Sequence, residues 1–399
     1  VEKREAILGY RTLSSQIDSQ ECGGAINLGC TIGKSLGLSP QLKSCRDLLI
    51  FHPECNYIHK KMLILQKQIE GLADSEISLM LQKELLPVQS VFYYRTHGET
   101  GGVNLLVDRS RAMDILLEVE GKLRKAQKSK GLKVEVRDFL SNGSKQIYCH
   151  NRYLGFMVEH NKGGRLRSLE YRPLTLNLIN GFKQPSPLQN EHYHIAPVCA
   201  MQEVVVANPK QWNQEERHAY LEASLSYHFK TAKERQQILL SGEQPFQLAG
   251  KGHIFQVEKV YTLKGQGQSV LCNLQFTNAT FNRCQAFIGM VFNFSFKSFD
   301  VPKQYFKIKG SGQTGEKLSL ATRDLFEHVQ GVELYDKSIG MTVKWEFVKE
   351  ALLSCNPVYD RQNGDFQYFQ VAAFWPFSLL GQEKLSLSST LVLSKKRLI

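Results

Sequence analysis

Across its 399 residues the sequence lacks most of the features that identify a protein quickly. Nine cysteines (Cys22, Cys30, Cys45, Cys55, Cys149, Cys199, Cys272, Cys284 and Cys355) are spread thinly, unlike the dense spacing of a disulfide framework, so they read as reduced thiols. Twelve prolines and 22% charged residues leave too little bias for wholesale disorder or a fibrous repeat. The long uncharged stretch 366–382 contains Pro376 and falls short of the ~20 apolar residues of a spanning helix. The opening Val1-Glu2-Lys3-Arg4-Glu5 carries no apolar leader. These absences lead us to expect an intracellular protein, cytoplasmic or nuclear, without membrane insertion. The N-x-S/T triplets at Asn142, Asn278 and Asn293 then carry no weight.

Local patterning gives an α+β expectation with three regions. Residues 1–87 read as a helical region, neutral over its first 57 residues, whose clearest helix runs from about Tyr57 to Leu86 on the spacing of Ile58, Met62, Leu65, Ile69 and Leu72, resumed by Ile77, Met80 and Leu81 and stopped at Pro87. Residues 88–183 read as a basic β-β-α-β-β sandwich: strands at Val91–Tyr94 and Val103–Val107, a helix over Arg111–Lys128, then strands around Val134 and over Gln146–Val158. The loop at 184–190 is the linker candidate. Residues 191–399 read as a larger, mainly antiparallel α+β domain. It has a helix over Asn213–Leu240, three strands in Gly250–Phe296, a strand-loop-helix unit over Tyr305–Val329, and aromatic strands near Trp345 and 366–377.

Charge is the strongest remaining signal. The formal net charge is +12, and 122–172 holds thirteen basic residues against four acidic ones, an excess of nine. Phosphate chains attract such clusters through counterion release, and interleaved aromatic faces can stack on bases. Strand parity adds two stripes: Arg165, Arg167 and Tyr171 share one face, and so do Lys303, Tyr305, Lys307 and Lys309. With Lys122, Lys125, Lys128 and Arg152 these form a candidate nucleic-acid surface. Gly310, Gly312 and Lys317 extend it through Lys309-Gly-Ser-Gly-Gln-Thr-Gly-Glu-Lys317, a GxGxxG match whose misplaced lysine departs from a Walker loop. The expected partner is therefore nucleic acid, RNA or single strand before duplex, in a ribonucleoprotein whose helical region makes protein contacts. The RNP consensus of an RRM is absent.

Two alternatives come from other classes. Gln20-Glu21-Cys22-Gly23-Gly24 loosely resembles a papain-type nucleophile, which suggests a cysteine-dependent hydrolase or transferase with Cys22 as nucleophile, although no histidine spacing completes it. The basic face could instead serve an adaptor that binds an acidic protein. No cofactor is called for. Structural zinc has one weak candidate, Cys45, His52, Cys55 and His59, whose ligand types fit better than their spacing.

Overall fold

The computed structural model describes residues 49, 53–94, 106–128, 131–180, 182–183, 196–197, 200–212, 227–232, 236–248, 251–264, 266–297, 302–310, 315–359 and 366–395. They fall into two compact units, one mostly helical and one built of strands.

The helical unit contains α1 (Pro53–Glu70), α2 (Ser75–Leu85) and α3 (Leu106–Ala126), which pack on one another. Ile58, Met62, Leu65 and Ile69 of α1 are buried, as are Leu116, Leu117 and Leu123 of α3, so the apolar stripe read from sequence forms this core. The expected single helix to Leu86 is instead two, because the chain breaks at Asp74. The Asp74 carboxylate accepts from the Glu76 and Ile77 amides, both at 3.0 Å, and starts α2 as an N-cap. The new phase leaves Met80 46% exposed while Leu81 stays buried.

The strand unit begins with β1 (Lys133–Arg137), β2 (Gln146–His150), β3 (Leu154–Glu159), β4 (Arg165–Tyr171) and β5 (Leu176–Asn177). The short pair β6 (Phe182–Lys183) and β7 (Ala196–Pro197) belongs to the helical unit. The strand unit continues with β8 (Ala200–Val206), β9 (His228–Ala232), β10 (Gln237–Leu248), β11 (Lys251–Leu263), β12 (Ser269–Asn278) and β13 (Cys284–Phe294). It closes with β14 (Gln304–Lys309), β15 (Leu318–Ser319), β16 (Asp324–Asp336), β17 (Met341–Tyr359), β18 (Phe366–Leu379) and β19 (Lys384–Lys395).

The described pairings of these strands are antiparallel. One run reads β1-β2-β3-β4-β8-β13-β18-β17 and the other β14-β16-β17-β19-β12-β11-β10-β9. Strand β17 is the corner, because 341–347 pair with β19 whereas 352–359 pair with β18. A strand this long serves two sheets by bending partway. On β11, His253, Phe255, Val257, Lys259, Tyr261 and Leu263 are buried, while Ile254, Gln256 and Glu258 between them are exposed. That period of two marks a sheet with one face on a core. The opposing layer supplies the cover: the Phe156 ring lies 5.9 Å from Tyr261, and Phe377 lies 5.6 Å from Phe255.

The fold is thus mostly β and antiparallel, and the finer α+β expectation needs correction. Val91–Tyr94 is a 3-10 turn that buries Tyr93 and Tyr94, and Leu106 and Val107 open α3 instead of closing a strand. Short apolar runs fit either state, and packing decides between them. The β-β-α-β-β sandwich therefore does not form: α3 lies in the helical unit, and the strands after it lie in the other. Residues 228–232 and 237–240 are strands, not the end of a helix. The glycine loop leads into β15 and β16, not into the helix expected there. The linker candidate at 184–190 lies outside the described residues.

Candidate functional site

The residues singled out by charge separate into three environments. Lys122, Lys125 and Lys128 lie at the end of α3 or just beyond it, where Lys125 and Lys128 are exposed and Lys122 bridges Glu84 at 2.7 Å and Glu118 at 3.1 Å. Arg152 is exposed and rests over the ring of Tyr153, 4.3 Å from its centroid. Arg165, Arg167 and Tyr171 do share a strand, but they are 8%, 3% and 1% exposed, so this stripe faces the interior. Arg165 Nε donates to Glu159 Oε2 at 2.9 Å. Burial alone would raise the Glu159 carboxyl pKa, yet Arg165, Lys162 and Arg167 outweigh it and hold the group below its ordinary range. Three of the block's cations, Lys162, Arg165 and Arg167, thus gather around one buried carboxylate.

The second stripe behaves differently. On β14, Phe306 and Ile308 are buried, whereas Lys309, like Lys303 just before the strand, is exposed and Tyr305 and Lys307 are half-buried, the parity that the sequence implies. Register places Tyr305 opposite Tyr335 and Lys307 opposite Glu333, and Lys344 of β17 is opposite Glu333 on its other side. The two tyrosine rings are parallel to within 11° with centroids 4.7 Å apart. Lys317 and Lys337 hold their ammonium groups 5.5 Å and 5.4 Å from the Tyr305 centroid. Glu333 accepts from the Tyr335 hydroxyl and from Lys344, and Lys309 pairs with Glu346 at 3.2 Å. Partial burial opposes ionisation of Glu333, but its bonds to Lys344 and Tyr335 and the nearby Lys307 keep its pKa below the usual carboxyl value. Burial first, and then the Glu333 bond, push the Tyr335 phenol upward. This open face therefore sets cations, carboxylates and aromatic rings side by side, with two of its lysines, Lys309 and Lys344, paired to Glu346 and Glu333.

The glycine loop adjoins it. Gly310 has φ +96, and a Cβ there would meet His328 O and Gln330 N at 3.0 Å, so both conformation and close approach to β16 require glycine. Gly315 has φ +89, and Gly312 lies outside the described residues. With no helix after the loop, the dipole that a phosphate site would draw on is missing. The other candidates fare similarly. Cys22, Cys45 and His52 lie outside the described residues. Cys55 and His59 are buried in α1, where burial first and Lys60 second lower the His59 pKa to about 4. Among the described residues, no group of three or more potential metal ligands assembles.

Two polar clusters escaped sequence reading. Tyr148, on β2, donates to Glu170 of β4 at 2.5 Å and accepts from Arg172 at 3.0 Å, while His150 lies 3.2 Å from Glu135. Gly155 between them leaves the room, since a Cβ there would come within 2.8 Å of both Tyr148 Oη and Glu170 Oε2. Inside the sandwich, Lys259 pairs with Glu203 and donates to Met201 O at 2.5 Å. The neighbouring Tyr227 accepts from Gln244, and Tyr261 donates to Gly164 O at 2.9 Å. Long-range register alone brings these residues together; alternation would assign Lys259 to the inward face but cannot supply its partner.

Comparison with known proteins identifies the company this architecture keeps. The family model described as Alpha-amylase/4-alpha-glucanotransferase, C-terminal, matches residues 210–360, which span β9 to β17. Over 158 residues the chain is 24% identical to Alpha-amylase 1 of Dictyoglomus thermophilum, covering 39% of this chain and 22% of that protein. The crystal structure of 4-alpha-glucanotransferase from Thermococcus litoralis superposes with a TM-score of 0.63 at 17% sequence identity, covering 88% of this chain and 51% of that one. The chain therefore spans about a fifth of the amylase and about half of the glucanotransferase. These matches overturn the expectation of a nucleic-acid-binding or ribonucleoprotein subunit, and they favour neither a Cys22 hydrolase nor an adaptor for acidic proteins. In the structure Arg165, Arg167 and Arg172 of the basic block are drawn inward around Glu159 and Glu170, while Lys125, Lys128 and Arg152 stay exposed. No helix among the described residues is long and apolar enough to cross a membrane. The chain shares its fold with the glucanotransferase, and its residues 210–360 match the C-terminal family model.

Proposed function

We propose that this chain is the C-terminal region of an α-glucan-processing enzyme and that its strand unit engages the glucan. The observation that carries this reading is the family match over residues 210–360. Two features of the molecule support it. The interior carboxylates Glu159, Glu170 and Glu203 are each held by a cation or a phenol, Arg165, Tyr148 with Arg172, and Lys259 respectively. Glycoside cleavage needs a carboxylate pair free to work as acid and as base or nucleophile, a role these three do not fill, and we assign the strand unit glucan contact. The open face of β14, β16 and β17 carries a stacked aromatic pair beside lysine–glutamate pairs, which offers a sugar a ring surface and a polar rim.

Native affinity electrophoresis of the 399-residue chain tests the reading. Glycogen in the gel should retard the protein, and dextran should not. Migration unchanged by glycogen, with retardation by duplex DNA, would overturn it.

A further inference from the structure

We propose that the Tyr305–Tyr335 pair and the charged side chains around it form a binding subsite for an α-glucan chain. The inference rests on the glucan reading above and names the residues that would carry it. A pyranose ring has two demands: a flat apolar surface for its C–H face, and donors and acceptors around its rim for the hydroxyls. The face built by β14, β16 and β17 meets both. Tyr305 and Tyr335 come from directly opposed positions and stack at 4.7 Å, so each ring stiffens the other. Tyr335 is tied through its hydroxyl to Glu333, and Glu333 in turn to Lys344. This is a pre-organised aromatic pair on rigid strands, which lowers the ordering cost of binding.

The ring of Tyr305, stacked on Tyr335, also lies beneath the Lys317 and Lys337 ammonium groups. Both lysines are exposed on long flexible stems. A sugar ring can displace the two ammonium groups from the aromatic face, and they then become donors to its hydroxyls. Glu333, Glu346 and the Tyr hydroxyls supply acceptors around the same face. Two of the face's lysines are matched, Lys344 by Glu333 and Lys309 by Glu346, and Lys307 also faces Glu333; the occupant proposed is the neutral glucan of the reading above, and salt dependence separates it from a polyanion. A neutral glucan held by stacking and dipolar bonds should bind with little dependence on salt, whereas a polyanion would lose orders of magnitude in affinity between about 50 and 200 mM.

The test is isothermal titration of the 399-residue chain with maltoheptaose at about 50 and 200 mM salt, for the unaltered protein, Tyr305→Ala and Tyr305→Phe. A saturable, salt-flat isotherm that weakens roughly tenfold in Tyr305→Ala and stays within about threefold in Tyr305→Phe is the expected result. Unweakened binding by a folded Tyr305→Ala protein would overturn the subsite while leaving the glucan reading in place. No maltoheptaose binding by the unaltered chain would overturn the subsite. Absence of glycogen retardation as well would remove the reading beneath it. If Tyr305→Ala fails to fold, the Lys317→Met/Lys337→Met double variant takes its place, since both side chains are exposed. Its affinity should fall several-fold, and an unchanged affinity would overturn the assignment.

Discussion

Replacing Lys259 with methionine should expose the energetics of the sandwich interior. Lys259 is fully buried at the centre of β11, and its side chain spans the two layers to reach Glu203 and the Met201 carbonyl of β8. Methionine matches the stem and removes the charge, leaving the Glu203 carboxylate, 3% exposed, without its cation. Removing one partner of a buried pair costs about 3–5 kcal/mol, because the survivor keeps its desolvation penalty. For a unit of this size that corresponds to a fall in Tm of roughly 6–20 °C. The three tryptophans, Trp212, Trp345 and Trp375, all lie in the strand unit, so intrinsic fluorescence reports its melting separately from the helices.

The effect should also depend on pH, with a definite sign. Burial raises the Glu203 carboxyl pKa, and Lys259 offsets part of that rise. A raised folded-state pKa stabilises the protonated form, so its contribution is complete below the ordinary carboxyl pKa and is lost as pH climbs through the folded value. Lys259→Met removes the offset. The variant should therefore melt closest to the unaltered protein at about pH 5 and furthest from it at about pH 8. Adding Glu203→Met should restore most of the loss, since a paired apolar replacement is often neutral or better. A Tm drop under about 2 °C at pH 8, or an equal drop at both pH values, would refute this account.

The same packing gives three further expected outcomes. Arg165→Ala should cost about 3–5 kcal/mol near neutral pH by leaving Glu159 buried and poorly matched. Because the Glu159 pKa is depressed, its stabilisation exists above the ordinary carboxyl pKa and fades as pH falls, so fluorescence melts should converge in acid. Gly242→Ala should destabilise the strand unit by about 1–3 kcal/mol, because its Cβ would run into the Tyr227 ring; Gly252→Ala, with nothing within 4 Å, should stay within about 0.5 kcal/mol in the same denaturant titration. Burial pushes the thiols of Cys149 and Cys272 up to about 12 and that of Cys284 to about 11, and raises Cys355 as well. Peptide mass mapping after iodoacetamide treatment at pH 7.5 should find these four unmodified in the folded protein and alkylated in urea.

Several features are legible in the sequence for local reasons. The α1 stripe of Ile58, Met62, Leu65 and Ile69 repeats at helical spacing, and the helix buries those residues. The three strands within 250–296 and the alternation of Lys303, Tyr305, Lys307 and Lys309 are period-two patterns, which a strand converts directly into faces. Of the residues proposed as a glucan subsite, Tyr305, Lys307 and Lys317 stand out in the sequence by parity and by the loop, though for a different ligand. Tyr335, Glu333, Lys337 and Lys344 do not, since each joins the face through pairing across β14, β16 and β17.

Periodicity is therefore written in the chain: which stretches are apolar on one side, and where glycine must turn the chain, as at Gly310. Which side is inside, and which residue stands opposite, is settled by packing between distant strands. Arg165, Arg167 and Tyr171 alternate as cleanly as Lys303, Tyr305 and Lys307, yet β4 is covered on both faces and β14 on one. A one-dimensional charge count cannot separate a cation in water from a cation whose counter-charge arrives from a distant strand. The +9 segment resembles a phosphate surface when Glu159 and Glu170 are counted as only two charges among many. Folded, those two carboxylates leave the sum unchanged but hold the Arg165, Arg167 and Arg172 side chains largely inside the protein, out of reach of a surface ligand.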